Sequence, residues 1–163
     1  LFPYRQPYAY FSLCERYRYF LAWPTGVDNA LGAALGCFAN PSKATTEQTD
    51  NTVDRWIDYC RRWGYGWAWV VNVRAWRETN PKLVPSDPEG IGPENDVFIR
   101  SAAEQAMLVV CGWGRLGGAR GPAALEQIRD AGAVPHSLRL NEDGSPAHPL
   151  YLPAVLKPFQ MES

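Results

Sequence analysis

Paired cysteines, net charge and long apolar runs are all missing from this sequence, and each absence removes a class of function. Cys14, Cys37, Cys60 and Cys111 are widely scattered with no C-x-x-C pair, so spacing argues against a zinc or iron–sulfur centre, and neither a metal nor another cofactor is expected. Three of the four lie inside apolar segments and read as small core residues, a usage that fits a reducing cytoplasm. The formal net charge is −1, from 16 basic and 17 acidic residues. A protein that coats nucleic acid by charge alone is usually basic, so any nucleic-acid contact must come from a local patch. Arg74, Arg77 and Lys82 form one such group, and Arg115 with Arg120 another; each reads equally well as ordinary solvated surface. No apolar run is long enough to span a membrane and no signal-peptide pattern is present, so the expected location is the cytoplasm, with no membrane partner. The chain begins with Leu1 rather than Met, which leaves room for residues upstream. There is no internal repeat and no low-complexity tract.

What is present suits one globular domain spanning residues 1–163, with 46% apolar and 20% charged residues. Aromatics reach 13%, including seven Trp and eight Tyr. Such rings bury much area in a small core, and they also suit a cleft that stacks bases. Residues 18–23 (RYFLAW) read as a strand, followed by a turn at 26–29. Residues 30–39 are apolar, and their later part reads as a second strand buried on both faces, stopped by Asn40-Pro41-Ser42. After a polar loop at 43–49, Asp50 can cap a helix whose Val53, Trp56, Ile57 and Cys60 share one face, and which Arg61, Arg62 and Gly64 close.

A third strand at 67–71 ends at Asn72. Residues 73–93 form a long connection with no clear period, and a loop this long in a compact domain is often functional. A helix at 95–106, a strand at 107–111, a turn at 112–114 and a helix at 122–131 follow, with Gly132 as C-cap. A short strand at 137–140, a turn at 141–144 and a loop at 145–149 then present His148. Strands alternating with helices predict an α/β fold, three layers around a central and mainly parallel sheet. In such sheets the ligand crevice lies outside the carboxyl ends of the strands. Asn40, Asn72 and the turn around Trp113 all sit at such ends.

Four segments stand together in order: Phe38-Ala39-Asn40-Pro41-Ser42, Trp69-Val70-Val71-Asn72, Val109-Val110-Cys111-Gly112-Trp113-Gly114 and His148-Pro149-Leu150. In this order they resemble the uracil-DNA glycosylase superfamily, over roughly residues 31–152. A second set is similar to an uncharacterised bacterial domain family, the domain of unknown function numbered sixteen forty-three. It consists of Arg18-Tyr19, Asn40-Pro41-Ser42, Asp50-Asn51-Thr52, Trp63-Gly64-Tyr65, Asn72 and His148-Pro149-Leu150-Tyr151. The glycosylase resemblance implies a DNA substrate whose target base is flipped into a pocket and cut from its sugar. It also implies roles: Asn40 positions the attacking water, His148 donates a hydrogen bond to the departing base, and Asn72 reads the base's pairing edge. Pro41 and Ser42 complete the base pocket, Trp113 offers a stacking surface, and Arg74, Arg77 and Arg115 are phosphate-contact candidates.

The superfamily's uracil branch has Asp-Pro-Tyr where this chain has Asn40-Pro41-Ser42, so the tyrosine that excludes larger bases is absent and a modified pyrimidine fits. Some bacterial antiviral glycosylases attack glucosylated hydroxymethylcytosine of phage DNA, and that role is expected here by analogy. The serine that grips a DNA phosphate is replaced by Leu150, which favours instead an enzyme acting on free nucleotides or nucleosides. A non-catalytic nucleic-acid-binding module is the third possibility. Asn40 and Asn72 also read as turn residues, Asp50 as a plain helix cap beside its role as a further acid–base group, and Trp113 as a core-edge ring. His136 reads as a packing residue at a strand start.

Overall fold

The computed structural model describes residues 5–28 and 30–162; Asn29 of the expected turn and the chain ends 1–4 and 163 lie outside the described residues. Among the described residues seven strands form one mixed sheet: β1 (Tyr8–Phe11), β2 (Arg18–Pro24), β3 (Leu31–Phe38), β4 (Tyr65–Asn72), β5 (Leu108–Gly112), β6 (Pro135–Ser137) and β7 (Phe159–Gln160). Three α-helices accompany them, α1 (Asn51–Arg62), α2 (Asn95–Gln105) and α3 (Arg120–Asp130). The sheet order is β1-β2-β4-β3-β5-β6-β7.

The expectation of a mainly parallel sheet needs correcting. β4-β3-β5-β6 are parallel, but β1 and β2 join one edge and β7 the other by antiparallel pairing. Connection length accounts for the β1–β2 pair, whose strands are joined by residues 12–17 alone, since a short link closes only an antiparallel pair; β2–β4 and β6–β7 pair across longer connections.

Within the parallel core the chain first lays down β3, then β4 on one side, then β5 and β6 on the other. Crossovers of one hand must place the connecting helices on opposite faces when the direction reverses. Accordingly α1 covers one face, where Val53, Trp56, Ile57 and Cys60 pack with Ala34, Phe38, Val70 and Val110. α2 and α3 cover the other, where Ile99, Ala102, Ala124 and Ile128 pack with Leu35, Cys37, Val71, Val109 and Cys111. The alternation along β3, β4 and β5 gives each face its own core, and each fully buried aliphatic side chain contributes about 1.5–3 kcal/mol. Cys37, Cys60 and Cys111 are buried free thiols, while Cys14 is exposed. Burial pushes the Cys37 thiol up to about 12.

Local signals act as the residue types require. The Asp50 side chain accepts from the Val53 N–H at 2.9 Å and caps α1. Pro122 lies within the first turn of α3, where its missing N–H costs no helical bond. The expected strand at 137–140 forms instead at Pro135–Ser137. Leu138 is core without being in a strand, and Leu140 makes only an isolated bridge to Pro146. Among the described residues, no helix is long and apolar enough to cross a membrane.

Candidate functional site

The reversal of strand order between β3 and β5 lies at their carboxyl ends, the switch point where doubly wound sheets bind ligands. Phe38 of β3 pairs there with Asn72 of β4 on one side and with Gly112 of β5 on the other. Asn40 lies two residues beyond.

Phe38 organises this end of the sheet. Its ring folds back over Gly36, where a Cβ would overlap Cζ of the ring. It meets Trp56 edge-on at 5.5 Å and the imidazole of His148 at 5.8 Å between ring centroids. Gly112 lets both Phe38 and Pro149 approach, since a Cβ there would stand 3.1 Å and 3.0 Å from them. The His148 loop is held from both sides. The Gly114 N–H donates to Pro146, and the Ala147 N–H to Arg139, both at 2.8 Å. Beyond His148, the Leu152 carbonyl accepts from Arg55 and from the Tyr59 hydroxyl of α1.

Each of three polar side chains has one side fixed by the protein. The Nδ2 of Asn40 donates to the Glu78 carbonyl at 2.7 Å and to that of Pro41 at 3.2 Å, so its Oδ1 is left as an acceptor. The Oδ1 of Asn72 accepts from the Arg18 guanidinium at 3.2 Å, so its amide nitrogen faces away as a donor and has no partner among the described residues. The Nδ1 of His148 accepts from the Leu150 N–H at 3.3 Å, which places the proton of a neutral ring on Nε2. Burial holds the His148 pKa below the ordinary histidine value against an opposing pull from Asp50. The ring is therefore neutral at pH 7 and presents an Nε2–H donor.

Arg18 was not among the residues singled out for the site. The pairing of β1 with β2 skips Tyr19, since Tyr10 faces Phe20 and Phe11 faces Arg18. Such a bulge shifts the alternation by one residue. Tyr19 stacks on Phe98 of α2 at 5.1 Å, and Arg18 turns to the α1 face, where it also donates to the Ala44 carbonyl at 3.1 Å. Arg18 is 2% exposed, and its burial, with the charge of Arg77, lowers its pKa to about 10 against the pull of Asp50. It stays a cation at neutral pH. Asp50 offers one oxygen to the Val53 N–H and the other to the Ala44 N–H at 3.3 Å, so it is a helix cap whose charge acts on Arg18 and His148.

The remaining expected residues are placed as follows. A cavity of about 390 Å³ is lined by Ala39, Asn40, Arg74, Val84, Asp87 and Leu116, with the long connection 73–93 as its roof; Asn72 and His148 do not line it. Pro41 is buried, and its carbonyl accepts from the Glu78 N–H at 2.9 Å. The Ser42 hydroxyl pairs with that of Thr79 at 3.1 Å and lines a separate hollow with Arg16 and Trp76. Trp113, 3% exposed, packs in the α2–α3 core over Gly117 and Gly121, a core position rather than an open stacking face.

Arg74 clamps Asp87 through two bonds of 2.8 Å and 3.0 Å and donates to the carbonyls of Leu116 and Gly117. That hydrogen bonding holds the Asp87 carboxyl below the usual range. Arg77 donates to the Glu15 carbonyl and lies 4.5 Å over the Phe11 ring. Arg115 is largely exposed, 3.8 Å from Asp143. His136 sits on β6 with its Nδ1 against the Val134 carbonyl. Among the described residues no group of three or more His, Cys, Asp or Glu side chains could hold a metal ion.

A family model described as "Protein of unknown function (DUF1643)" matches residues 18–150. The matched span runs from Arg18 past His148 and so encloses every side chain of the crevice. No curated protein matches, and no solved structure matches.

Proposed function

The chain belongs to the DUF1643 family, and from the crevice enclosed by the matched span we propose that it is a base-excising enzyme, a DNA N-glycosylase that leaves an abasic site. The observation that carries the proposal is the fixed polarity of three side chains at one end of the sheet. Asn40 offers an acceptor, Asn72 a donor and neutral His148 a donor. Cleavage of the base–sugar bond by water builds negative charge on the departing base and positive charge on the sugar. Donors held in place before the reaction stabilise the former without reorganising. The acceptor of Asn40 orients a water molecule; an amide is a poor base, so its contribution is positional. Asp50 acts through its charge, because both of its oxygens already accept backbone N–H bonds.

The substrate class proposed is a modified pyrimidine such as glucosylated hydroxymethylcytosine, with a role against phage whose DNA carries it. Asn40 lines a cavity of about 390 Å³, within the range of small-molecule sites, roughly 300–1,000 Å³, while Asn72 and His148 lie outside its lining. Appearance of alkali-labile sites in DNA carrying one such base, and their loss in His148→Ala, tests the proposal.

A specific observation favours a second reading. Arg74 and Arg77, the expected phosphate contacts, are engaged within the protein. An enzyme acting on a free nucleoside or nucleotide needs no such contacts. A nucleotide that raises Tm, with no DNA affinity at low salt, would select it.

A further inference from the structure

Building on the base-excision reading above, we infer that Arg18 is a positioning residue that makes Asn72 a one-way donor and so turns the site toward cytosine-type bases and away from uracil and thymine. A free asparagine amide offers a donor and an acceptor side by side and can turn to suit either kind of edge. Here it cannot turn. The Arg18 guanidinium is donor-only, is buried, and bonds the Asn72 oxygen at 3.2 Å. Turning the amide would set its N–H₂ against that cation and leave two donors facing each other in a buried site.

Arg18 is itself fixed. Its second arm donates to the Ala44 carbonyl at 3.1 Å, and the bulge at Tyr19 aims it at the α1 face. The carbonyl of Asn72 is held as well, by the Asn95 side chain at 2.7 Å. Backbone and side chain are thus set together, and in this buried residue, 2% exposed, the amide nitrogen is the one side-chain polar group left without a partner among the described residues.

The ring N3 of a cytosine is an acceptor and takes that donor whatever substituent the base carries at C5. A uracil or thymine carries N3–H, for which the Asn72 oxygen is no longer available. It can offer only a carbonyl, and its N3–H goes unpaired by Asn72. An unpaired polar group in a closed site costs on the order of tenfold to hundredfold in affinity.

The test is titration of the protein with 2′-deoxycytidine, 5-hydroxymethyl-2′-deoxycytidine and 2′-deoxyuridine, followed by ligand-observed NMR. It is run on wild type, Arg18→Lys and Arg18→Gln, each checked for folding by its melting curve. Wild type is expected to bind the cytidines at least tenfold more tightly than deoxyuridine. Lysine is also donor-only and should keep that ratio. Glutamine can pair with either side of the Asn72 amide and should shrink the ratio toward one by a gain in deoxyuridine binding. Should Arg18→Gln fail to fold, wild type and Arg18→Lys still decide. A wild type that prefers deoxyuridine, or a ratio untouched by a folded Arg18→Gln, overturns the role of Arg18 while leaving a base site in place. Binding of none of the three nucleosides overturns the base site and the role of Arg18 together.

Discussion

Gly36→Ala is the substitution that probes the packing beneath the site most sharply. Gly36 lies in the middle of β3, and the Phe38 ring folds over the space its side chain would fill. An added Cβ overlaps Cζ of that ring and stands 2.8 Å from Cε2. The ring has nowhere to go, because it is 1% exposed, meets Trp56 at 5.5 Å and abuts Gly112. Overpacking of this kind costs about 1–3 kcal/mol. For a domain of this size each kcal/mol moves Tm by about 2–4 °C, so the expected fall is roughly 2–12 °C.

The ring also carries His148, 5.8 Å away, so activity should fall along with stability. A double-mutant cycle separates the two effects. Phe38→Leu shortens the offending ring, so the double variant should be more stable than the sum of the single losses by about 0.5–3 kcal/mol. It should not regain activity, because the surface on which His148 packs is gone. Thermal melts and an activity assay on the four proteins complete the experiment. A Gly36→Ala protein that melts with wild type, or strictly additive losses in the cycle, would refute the packing account.

Three further outcomes are expected. Because the folded-state pKa of His148 lies below the ordinary value near 6.5, the unfolded chain takes up the proton first as pH falls. The stability tied to the neutral ring is therefore present above that value and lost as pH drops through the lower folded-state pKa. Melting curves from pH 8 to 5 should show this loss, and it should be absent in His148→Asn. Arg74→Ala should cost about 1–3 kcal/mol of stability, from the lost bonds to Asp87, Leu116 and Gly117, and leave alone the salt dependence of the DNA binding proposed above. Arg115→Ala should do the reverse, lowering the salt slope by about one with little change in Tm. Asn95→Ala leaves the Asn72 carbonyl unpaired in a buried place, and a loss of about 1–3 kcal/mol in a denaturant titration should follow.

The elements that carry strong periodicity were legible from the sequence. Asp50 with the apolar face of α1 marked that helix, and the apolar runs of β3, β4 and β5 marked the central strands with Asn40 and Asn72 at their ends. The edge strands were not. β1 (YAYF) is aromatic but only four residues long and exposed or half-buried, and β7 has two exposed residues, so neither stood out as a strand. Trp113 between glycines read equally as a stacking surface or a core-edge ring, and Gly117 and Gly121 make room for it in the core. Arg74 and Arg77 looked free because their partners, Asp87 and Glu15, are far off in sequence or outside any motif. Arg18 stayed hidden for a sharper reason. Simple alternation along β2 assigns it to the wrong face, and only the bulge at Tyr19 turns it toward Asn72. The long connection 73–93 gave no period, and its place is set by backbone bonds from Val73 to Phe38, Arg74 to Ala39 and Glu78 to Pro41.

The central claim is that the crevice cuts a base from its sugar. The direct measurement is an abasic-site assay on wild type, Asn40→Ala and His148→Ala. The substrates are duplexes carrying cytosine, uracil, hydroxymethylcytosine or its glucosylated form, treated with alkali after incubation. Strand breaks with wild type on a cytosine-derived base, strongly reduced in both variants, are predicted. No breaks on any of the four duplexes, or breaks that survive both substitutions, would contradict it.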